Sequence, residues 1–599
     1  MINTLNKTLS FLNRKEKIHG LVILLLISCM ALLETLSVFS IMPFLAVLGN
    51  SDILESNPVL NYIFLKASLL GIQSTENFLI LLGIMSFVIL VTSAIFRSFS
   101  QYFVNLFIET RRHTISLNLF ASYLRQPYEF FINHHSGELS KSILAEVDQL
   151  IGIVIRPFFN MVANALVFLV MLTLLVVVEP IVALFAVVVL GGLYSCVFLI
   201  IKSKLLKIGS VRVLCNKERF ITASEALNGI KEVKLLCREK FYLNRFEVPS
   251  LKFSRTYSTH QTLNQVPNFI IEAIIFGMIL LLTITLMLSY GGVKGDALGH
   301  LLPVLGVYAF SAFRMKPALQ NIFVGISNLK SGKNLVDNLS HDLFNFSKSK
   351  NEKFDNTVSL TARKYIALKN ISFSYSGSSK PTIKDFNLKI PISSSVGIIG
   401  STGSGKTTLV DILLGLLEPS EGAIEVDDKP VLPSQVRSWQ QVLGYVPQEI
   451  FLTDSTIAEN IAMGIPKELI KQDKVEECAA VASVHDFIVS ELPLKYETVV
   501  GERGVRLSGG QRQRIGIARA LYRNPDVIVF DEATSALDNQ TEKEVMSSIE
   551  NLLNKKTIFM IAHRLSTVKK CDRIVMLEKG KIKAVGKYEE LVKEKLVKL

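Results

Sequence analysis

Through the first half of the chain the apolar positions follow neither the 3.6-residue period of an amphipathic helix nor the alternation of a half-buried strand; they run on without interruption. Apolar stretches close to the ~20 residues that a bilayer requires occur at about 18–49, 77–108, 151–178, 181–201, 262–290 and 299–325. Runs such as LVFLVMLTLLVVV and IIFGMILLLTITLML have no polar face, unlike the surface helices of a soluble protein. The pattern predicts six membrane-spanning helices, an even number that leaves both chain ends on one side. After Leu329 the texture changes to SGKNLVDNLSHDLFNFSKSKNEKFDNT, polar and charged, and from about 360 onward the runs are those of a soluble α/β domain. The predicted fold is therefore an all-α polytopic membrane domain over 1–329, with six helices, a linker over 330–359, and a C-terminal α/β domain over 360–599.

Composition supports this division. A 599-residue chain that is 49% hydrophobic is too long and too apolar for one soluble domain. Basic residues crowd before the first span (Lys7, Arg14, Lys15, Lys17) and across 202–255, and are sparse at 50–76 and 290–298, which orients both termini to the cytoplasm. The net charge of +13 then faces anionic lipid heads on that side, and no motif supports a nucleic-acid partner. The first apolar run is too long, and lacks a small-residue cleavage site, for a removable signal peptide. The six cysteines are scattered, without a C-x-x-C pair or a cluster with histidine, so neither a disulfide framework nor a zinc site is expected.

The chemistry sits in the second half. In GSTGSGKTTLVDILLGL, 400–416, the pattern G-x-x-x-x-G-K-[ST] is filled by Gly400, Gly405, Lys406 and Thr407, between a strand-like run and a helical one. Ser401, Thr402, Gly403 and Ser404 form the loop whose backbone N–H groups, with those of the following turn including Thr408, curl round a phosphate at a helix N-terminus. Lys406 reaches the β/γ-phosphates and Thr407 holds Mg²⁺. The run DVIVFDE, 526–532, is an apolar strand ending in two carboxylates, which places Asp531 beside Mg²⁺ and Glu532 next to the attacking water as general base. Between them, LSGGQRQRIGIARAL, 507–521, puts Ser508, Gly509 and Gly510 ahead of an arginine-rich helix, a second helix N-terminus able to bind phosphate.

Two phosphate sites in one domain, in this order, resemble the ATP-binding cassette family, and the chain is similar to its exporters of six spans fused to one cassette. The resemblance implies that the signature Ser508, Gly509, Gly510 and Gln511 of one subunit completes the ATP site built by the phosphate loop of another. It also implies roles for Tyr375 in FSYSG, stacking on adenine, and Gln448 in YVPQE, sensing Mg²⁺ and the γ-phosphate. Asp538 in SALD is assigned to communication across the dimer and His563 in IAHRLS to the γ-phosphate switch. FFINHHSGELSKSILAEVDQL, 130–150, and EALNGIKEVKLLCREK, 225–240, resemble the family's cytoplasmic extensions, and GERG precedes the signature as in such exporters. One chain carries one complete set of motifs, so two chains are implied: a homodimer, or a heterodimer with another protein. ATP and Mg²⁺ are the implied cofactors.

The cargo must be read from the spans. Ionisable residues there are Glu34, Arg97, Glu272, Arg314 and Lys316. Arg97, Arg314 and Lys316 form a candidate cationic seat for a phosphate or pyrophosphate head, since arginine grips such groups in a bidentate manner. Equally, Glu34 and Glu272 can pair with them, or the cations can snorkel. The segment NPVLNYIFLKASLLGIQ, 57–73, carries Leu60, Ile63, Phe64, Ala67 and Leu70 on one helix face and is expected on the outer membrane surface. This short external helix and the wording of the cassette resemble bacterial flippases of polyprenyl-pyrophosphate-linked oligosaccharides. The resemblance implies a multi-pass protein of the bacterial inner membrane that moves this lipid to the outer leaflet; another lipid such as lipid A, a drug or a peptide remains open.

Overall fold

The computed structural model describes residues 6–593 except 9, 50, 52, 53, 55, 56, 70–73, 179, 290–294, 348–359, 379, 502, 503, 533–538, 551, 554, 563 and 564. The chain divides into two compact units, Met1–Gln126 with Phe131–Lys350, and Pro127–Phe130 with Asn351–Leu599.

The first unit is helical. Its long elements are α1 (Arg14–Phe39), α2 (Ile41–Gly49), α3 (Pro58–Ser68), α4 (Thr75–Leu124), α5 (Arg156–Val178), α6 (Pro180–Asn228), α7 (Glu239–Ser289), α8 (Gly295–Ser331) and α9 (Lys333–Ser347). The first apolar run breaks into α1 and α2 at Ser40 because Pro43 offers no N–H to the carbonyl four residues back and its ring crowds that position. Among the described residues, three helical stretches are long and apolar enough to cross a membrane: Arg14–Gly49, Thr75–Leu124 and Ser136–Val178. The other three expected spans fall within α6, α7 and α8, whose apolar side chains are described only in part. At 1.5 Å per residue the 50 residues of α4 extend about 75 Å, far beyond a hydrocarbon core of about 30 Å, so this helix continues out of the lipid.

Two features of this unit differ from the simple reading of the sequence. Within the segment expected to be a linker, α9 is an ordered amphipathic helix: Leu335, Val336 and Leu339 are buried, and Asp342 accepts a hydrogen bond of 2.7 Å from the Tyr123 hydroxyl. The apolar face of α3, expected to lie on a membrane surface, instead packs inward. Leu60, Ile63, Phe64 and Ala67 join Val47, Leu54, Phe78 and Leu82 in one cluster, with Phe64 edge-on to Phe78 at 5.1 Å. Leu70 lies outside the described residues. The opposite face, with Val59, Tyr62, Leu65 and Leu69, is the one left exposed.

A buried ion pair ties α1 to α4. Glu16 forms an ion pair with Arg111, both nearly covered, and the guanidinium also lies over the Phe107 ring at 5.1 Å. Such a pair is costly to break, because removing one partner strands the other charge at about 3–5 kcal/mol.

The second unit holds two sheets. Strands β1 (Tyr365–Phe373), β2 (Ile383–Pro391), β4 (Glu421–Val426) and β5 (Lys429–Pro430) form an antiparallel sheet in the order β2-β1-β4-β5. Strands β3 (Ser395–Gly400), β6 (Leu443–Val446), β7 (Val527–Asp531), β8 (Thr557–Ile561), β9 (Arg573–Glu578) and β10 (Lys581–Gly586) form the other, ordered β10-β9-β3-β8-β7-β6. Five of its strands run parallel and β10 is antiparallel on β9. Strands buried on both faces of a parallel sheet need continuous apolar runs, which is why VIVFD and TIFMI are buried at every position. Three helices matter for the site: α10 (Lys406–Leu413), α11 (Ile457–Ile461) and α12 (Gly509–Tyr522). The only tryptophan, Trp439, is fully buried and donates its indole N–H to the Leu413 carbonyl at 2.7 Å, satisfying a carbonyl at the end of α10.

Candidate active site

The parallel sheet delivers the chemistry from its carboxyl edge. Strand β3 ends at Gly400 and β7 at Asp531, separated only by β8, so the loop after one strand and the carboxylates after the other share an edge.

The loop between β3 and α10 is shaped by glycine. Gly403 and Gly405 have φ of 78° and 102°, in the left-handed region that side chains resist. A Cβ on Gly405 would stand 2.7 Å from Ile383 Cδ1, and one on Gly400 only 2.4 Å from the Leu577 carbonyl oxygen. The Ser404 N–H donates to the Ser401 carbonyl at 3.1 Å, turning the chain into the helix. Lys406 lies back over this turn, its Nζ donating to the carbonyls of Gly400 and Ser401 at 2.8 and 3.1 Å. Burial lowers its pKa, while Glu532 and Asp531 oppose that shift. Thr407 and the loop residues Ser401, Thr402 and Gly403 are exposed, whereas the Ser404 hydroxyl is buried without a hydrogen-bond partner. A loop in which a Cβ on Gly400 or Gly405 would clash, an ammonium hydrogen-bonded to two loop carbonyls and a buried, unsatisfied hydroxyl fit a bound phosphate chain with its Mg²⁺. Beside the cradle, Tyr375 packs edge-on against Phe373 at 5.0 Å and its hydroxyl shares a 3.1 Å hydrogen bond with Thr408.

The two carboxylates after β7 are treated differently. Asp531 is buried at 8% exposure, and the Tyr445 hydroxyl donates to its Oδ2 at 3.4 Å. Glu532 has a φ of 49°, left-handed for a residue with a Cβ, and its N–H donates to the Ile561 carbonyl at 3.0 Å. Strain of this kind persists only where the surroundings impose it, and here it turns the side chain out of the strand direction. Glu532 Oε2 accepts from Gln448 Nε2 at 2.8 Å, so two residues 84 positions apart meet at one carboxylate.

The signature begins with a helix cap. Ser508 Oγ accepts the Gln511 N–H at 3.2 Å while the Ser508 N–H donates to Gln511 Oε1 at 2.8 Å, the reciprocal capping box that S-x-x-Q encodes. Gln511 is thus engaged in ordering the first turn of α12, and Gly509 and Gly510 complete that turn. Asp538 and His563 lie outside the described residues.

Two neighbours were missed from the sequence. Tyr445 sits on β6 beside β7, and Asp411 lies one helical turn beyond Thr407 on α10. Burial, and then the charge of Asp531, push the Asp411 carboxyl up from 3.8 to about 6. A raised carboxylate pKa means that the folded state resists ionisation. Stability is full below about pH 4, falls as pH rises toward 6 and stays reduced above it. Asp411→Asn is therefore expected to stabilise the nucleotide-free protein by about 1 kcal/mol at pH 7.5, the effect being damped because the group is partly solvated, and by nothing at pH 4. Thermal melting at both pH values checks this.

The intramembrane cations are answered by acids. Arg97 and Arg314 both approach Glu34 Oε1, at 3.1 and 3.8 Å, and Lys316 meets Glu272 Oε2 at 2.5 Å. Glu34 is 4% exposed. The expected seat of free cations is therefore a paired arrangement, because a charge left alone in a low-dielectric interior is costly. The Glu34, Arg97 and Arg314 trio still carries one excess positive charge.

Family models agree with this architecture: the ABC transporter model matches residues 383–535 and the ABC transporter transmembrane region matches 53–293. An ATP-dependent lipid A-core flippase from Saccharophagus degradans is 30% identical over 84% of this chain and 84% of its own length. The chain belongs to the ABC transporter family. It is a membrane exporter that couples ATP hydrolysis to transport, with ATP and Mg²⁺ as its cofactors. A second lipid A-core flippase, from Wigglesworthia glossinidia brevipalpis, is 41% identical over 39% of this chain and 40% of its own. The fold is shared with a bacterial Atm1-family ABC exporter solved with ATP bound, at a TM-score of 0.74 and 22% identity over 97% of this chain and 96% of the other.

Proposed function

We propose that this exporter is a homodimeric flippase of the bacterial inner membrane. It carries a polyprenyl-pyrophosphate-linked oligosaccharide from the cytoplasmic to the outer leaflet, with both termini and the nucleotide-binding domain in the cytoplasm. Each ATP is enclosed between the phosphate loop of one chain, Gly400 to Thr408, and the signature Ser508 to Gln511 of the other. Lys406 and the loop amides hold the β/γ-phosphates, Tyr375 the adenine; Thr407, Gln448 and Asp531 surround Mg²⁺, which when bound neutralises phosphate charge. Glu532 takes the proton of the attacking water, His563 senses the γ-phosphate and Asp538 reports across the dimer.

The observation that carries the motor reading is the 2.8 Å contact between Gln448 and Glu532, which brings together the two residues assigned to sensing and hydrolysis. For the cargo, the support is the trio of Arg97, Arg314 and Glu34, a net cation in the spans suited to a diphosphate head. A lipid A-like cargo is the second reading, favoured by the similarity to relatives named as lipid A-core flippases. Both lipids present phosphate to the protein, so the test must separate them. Purified protein in proteoliposomes is given labelled polyprenyl-pyrophosphate oligosaccharide or labelled lipid A, with Glu532→Gln as the blank. ATP-dependent movement of the first alone is expected; movement of lipid A alone transfers the proposal to the second reading, and movement of neither sinks both.

A further inference from the structure

Helix α12 carries the signature at its first turn and Arg519 in its last, and the guanidinium reaches across to a different part of the domain. Its Nη1 donates to the Phe451 carbonyl at 2.7 Å, its Nε to the Asn460 carbonyl at 2.8 Å and its Nη2 to Asn460 Oδ1 at 3.2 Å. The charge of Arg519 is met by three oxygens of the 451–460 segment. A desolvated guanidinium serving three oxygens in two directions is a geometric clamp rather than a surface charge.

The far side of the clamp is equally fixed. Asn460, at the end of α11, is fully buried; its Oδ1 accepts from the Thr453 N–H at 3.0 Å and its Nδ2 donates to the carbonyls of Thr453 and Thr456 at 3.0 and 3.1 Å. The strand of chain that leaves Gln448 is thus held at Phe451 by Arg519 and at Thr453 by Asn460. One turn before Arg519, Gly516 lets Ile450 press against the helix: a Cβ there would fall 2.4 Å from Ile450 Cδ1. Gly516 and Arg519 share a face of α12, so Ile450 and Phe451 ride directly on the helix that begins at the signature.

We propose that Arg519 is a positioning residue through which the signature helix sets Gln448 against Glu532. The inference rests on the reading in which the signature of one chain closes on the ATP of the other. Under it, α12 answers to one ATP site and Gln448 serves the second, and Arg519 is the rigid link between them within a single chain. Displacing α12 as its first turn engages phosphate moves Phe451 with it, and Gln448, three residues upstream, with Phe451.

The test is steady-state ATPase of the full-length protein in lipid nanodiscs, with Arg519→Lys and Ile450→Ala each made in native and in Gln448→Ala backgrounds. Lysine keeps the charge and loses the fork that spans Phe451 and Asn460. The expected result is a fall in kcat of about tenfold for Arg519→Lys, with KM for ATP changed less than about twofold and a Hill coefficient moved toward one. In the Gln448→Ala background the same substitution should cost little further, because residues acting through one contact do not add. A multiplicative loss in that background, or an unchanged kcat and Hill coefficient, would overturn the proposal. If Arg519→Lys does not accumulate as folded protein, Ile450→Ala decides by the same cycle, since it removes a contact on the same path without touching the guanidinium. Failure here leaves Glu532-dependent turnover and lipid movement intact, whereas failure of the transport reading leaves the ATPase cycle measurable.

Discussion

Glu532→Gln should lower ATP turnover by about a thousandfold while leaving ATP binding within about twofold of native. General-base catalysis contributes about 10² to 10⁴ in rate, and an amide cannot take the proton. Its geometry is also specific: a left-handed backbone, an N–H tied to Ile561 and a side chain held by Gln448 present one oxygen in a set direction. Glutamine fits the same space, so binding and fold should survive, and ATP-bound protein should accumulate as dimer. Phosphate release and light scattering under Mg-ATP measure both effects. Residual turnover above about a tenth of native would remove Glu532 from the role of base.

Lys406→Ala is the second large effect, expected on binding rather than on chemistry. Charge-assisted hydrogen bonds are worth about 1.5–3 kcal/mol, so loss of the ammonium should weaken ATP by about a hundredfold. Its Nζ donates to the Gly400 and Ser401 carbonyls, which places the ammonium at the glycine-rich loop. Gly405→Ala should produce a loss of similar size by another route, since its φ of 102° and the 2.7 Å approach to Ile383 both resist a side chain. Titration with a fluorescent ATP analogue in the absence of Mg²⁺ isolates this step. Affinity within a factor of three of native in both variants would exclude the loop as the phosphate site.

Much of the candidate ATP site was readable as local structure because its parts are local. Gly400 to Thr408, the capping box from Ser508 to Gln511 and the Asp531–Glu532 pair each encode their own turn or helix start within a few residues, through glycine backbone freedom and side chains that satisfy nearby N–H groups. The membrane half was readable for a related reason: in lipid every backbone group must be satisfied within its own helix, so a long apolar run dictates a helix without reference to its neighbours.

What lay between distant segments was not readable. Periodicity picked out Leu60, Ile63, Phe64 and Ala67 as one apolar face of α3 but could not say whether lipid or protein covers it; proximity to Val47 and Phe78 decides for protein. The sequence offered Glu34 as one possible partner for Arg97 and Arg314, and the close approach of three helices made it the partner of both. The same holds for Gln448 meeting Glu532, Asp411 facing Asp531, and Arg519 reaching Phe451 across the nucleotide-binding unit. Local chemistry specifies the helices, the glycine-rich loop and the two carboxylates at the end of the β7 run. Charge pairing, pKa shifts and the reach of Arg519 to Phe451 depend on distances across the fold, because electrostatic and packing energies act through space and not along the chain.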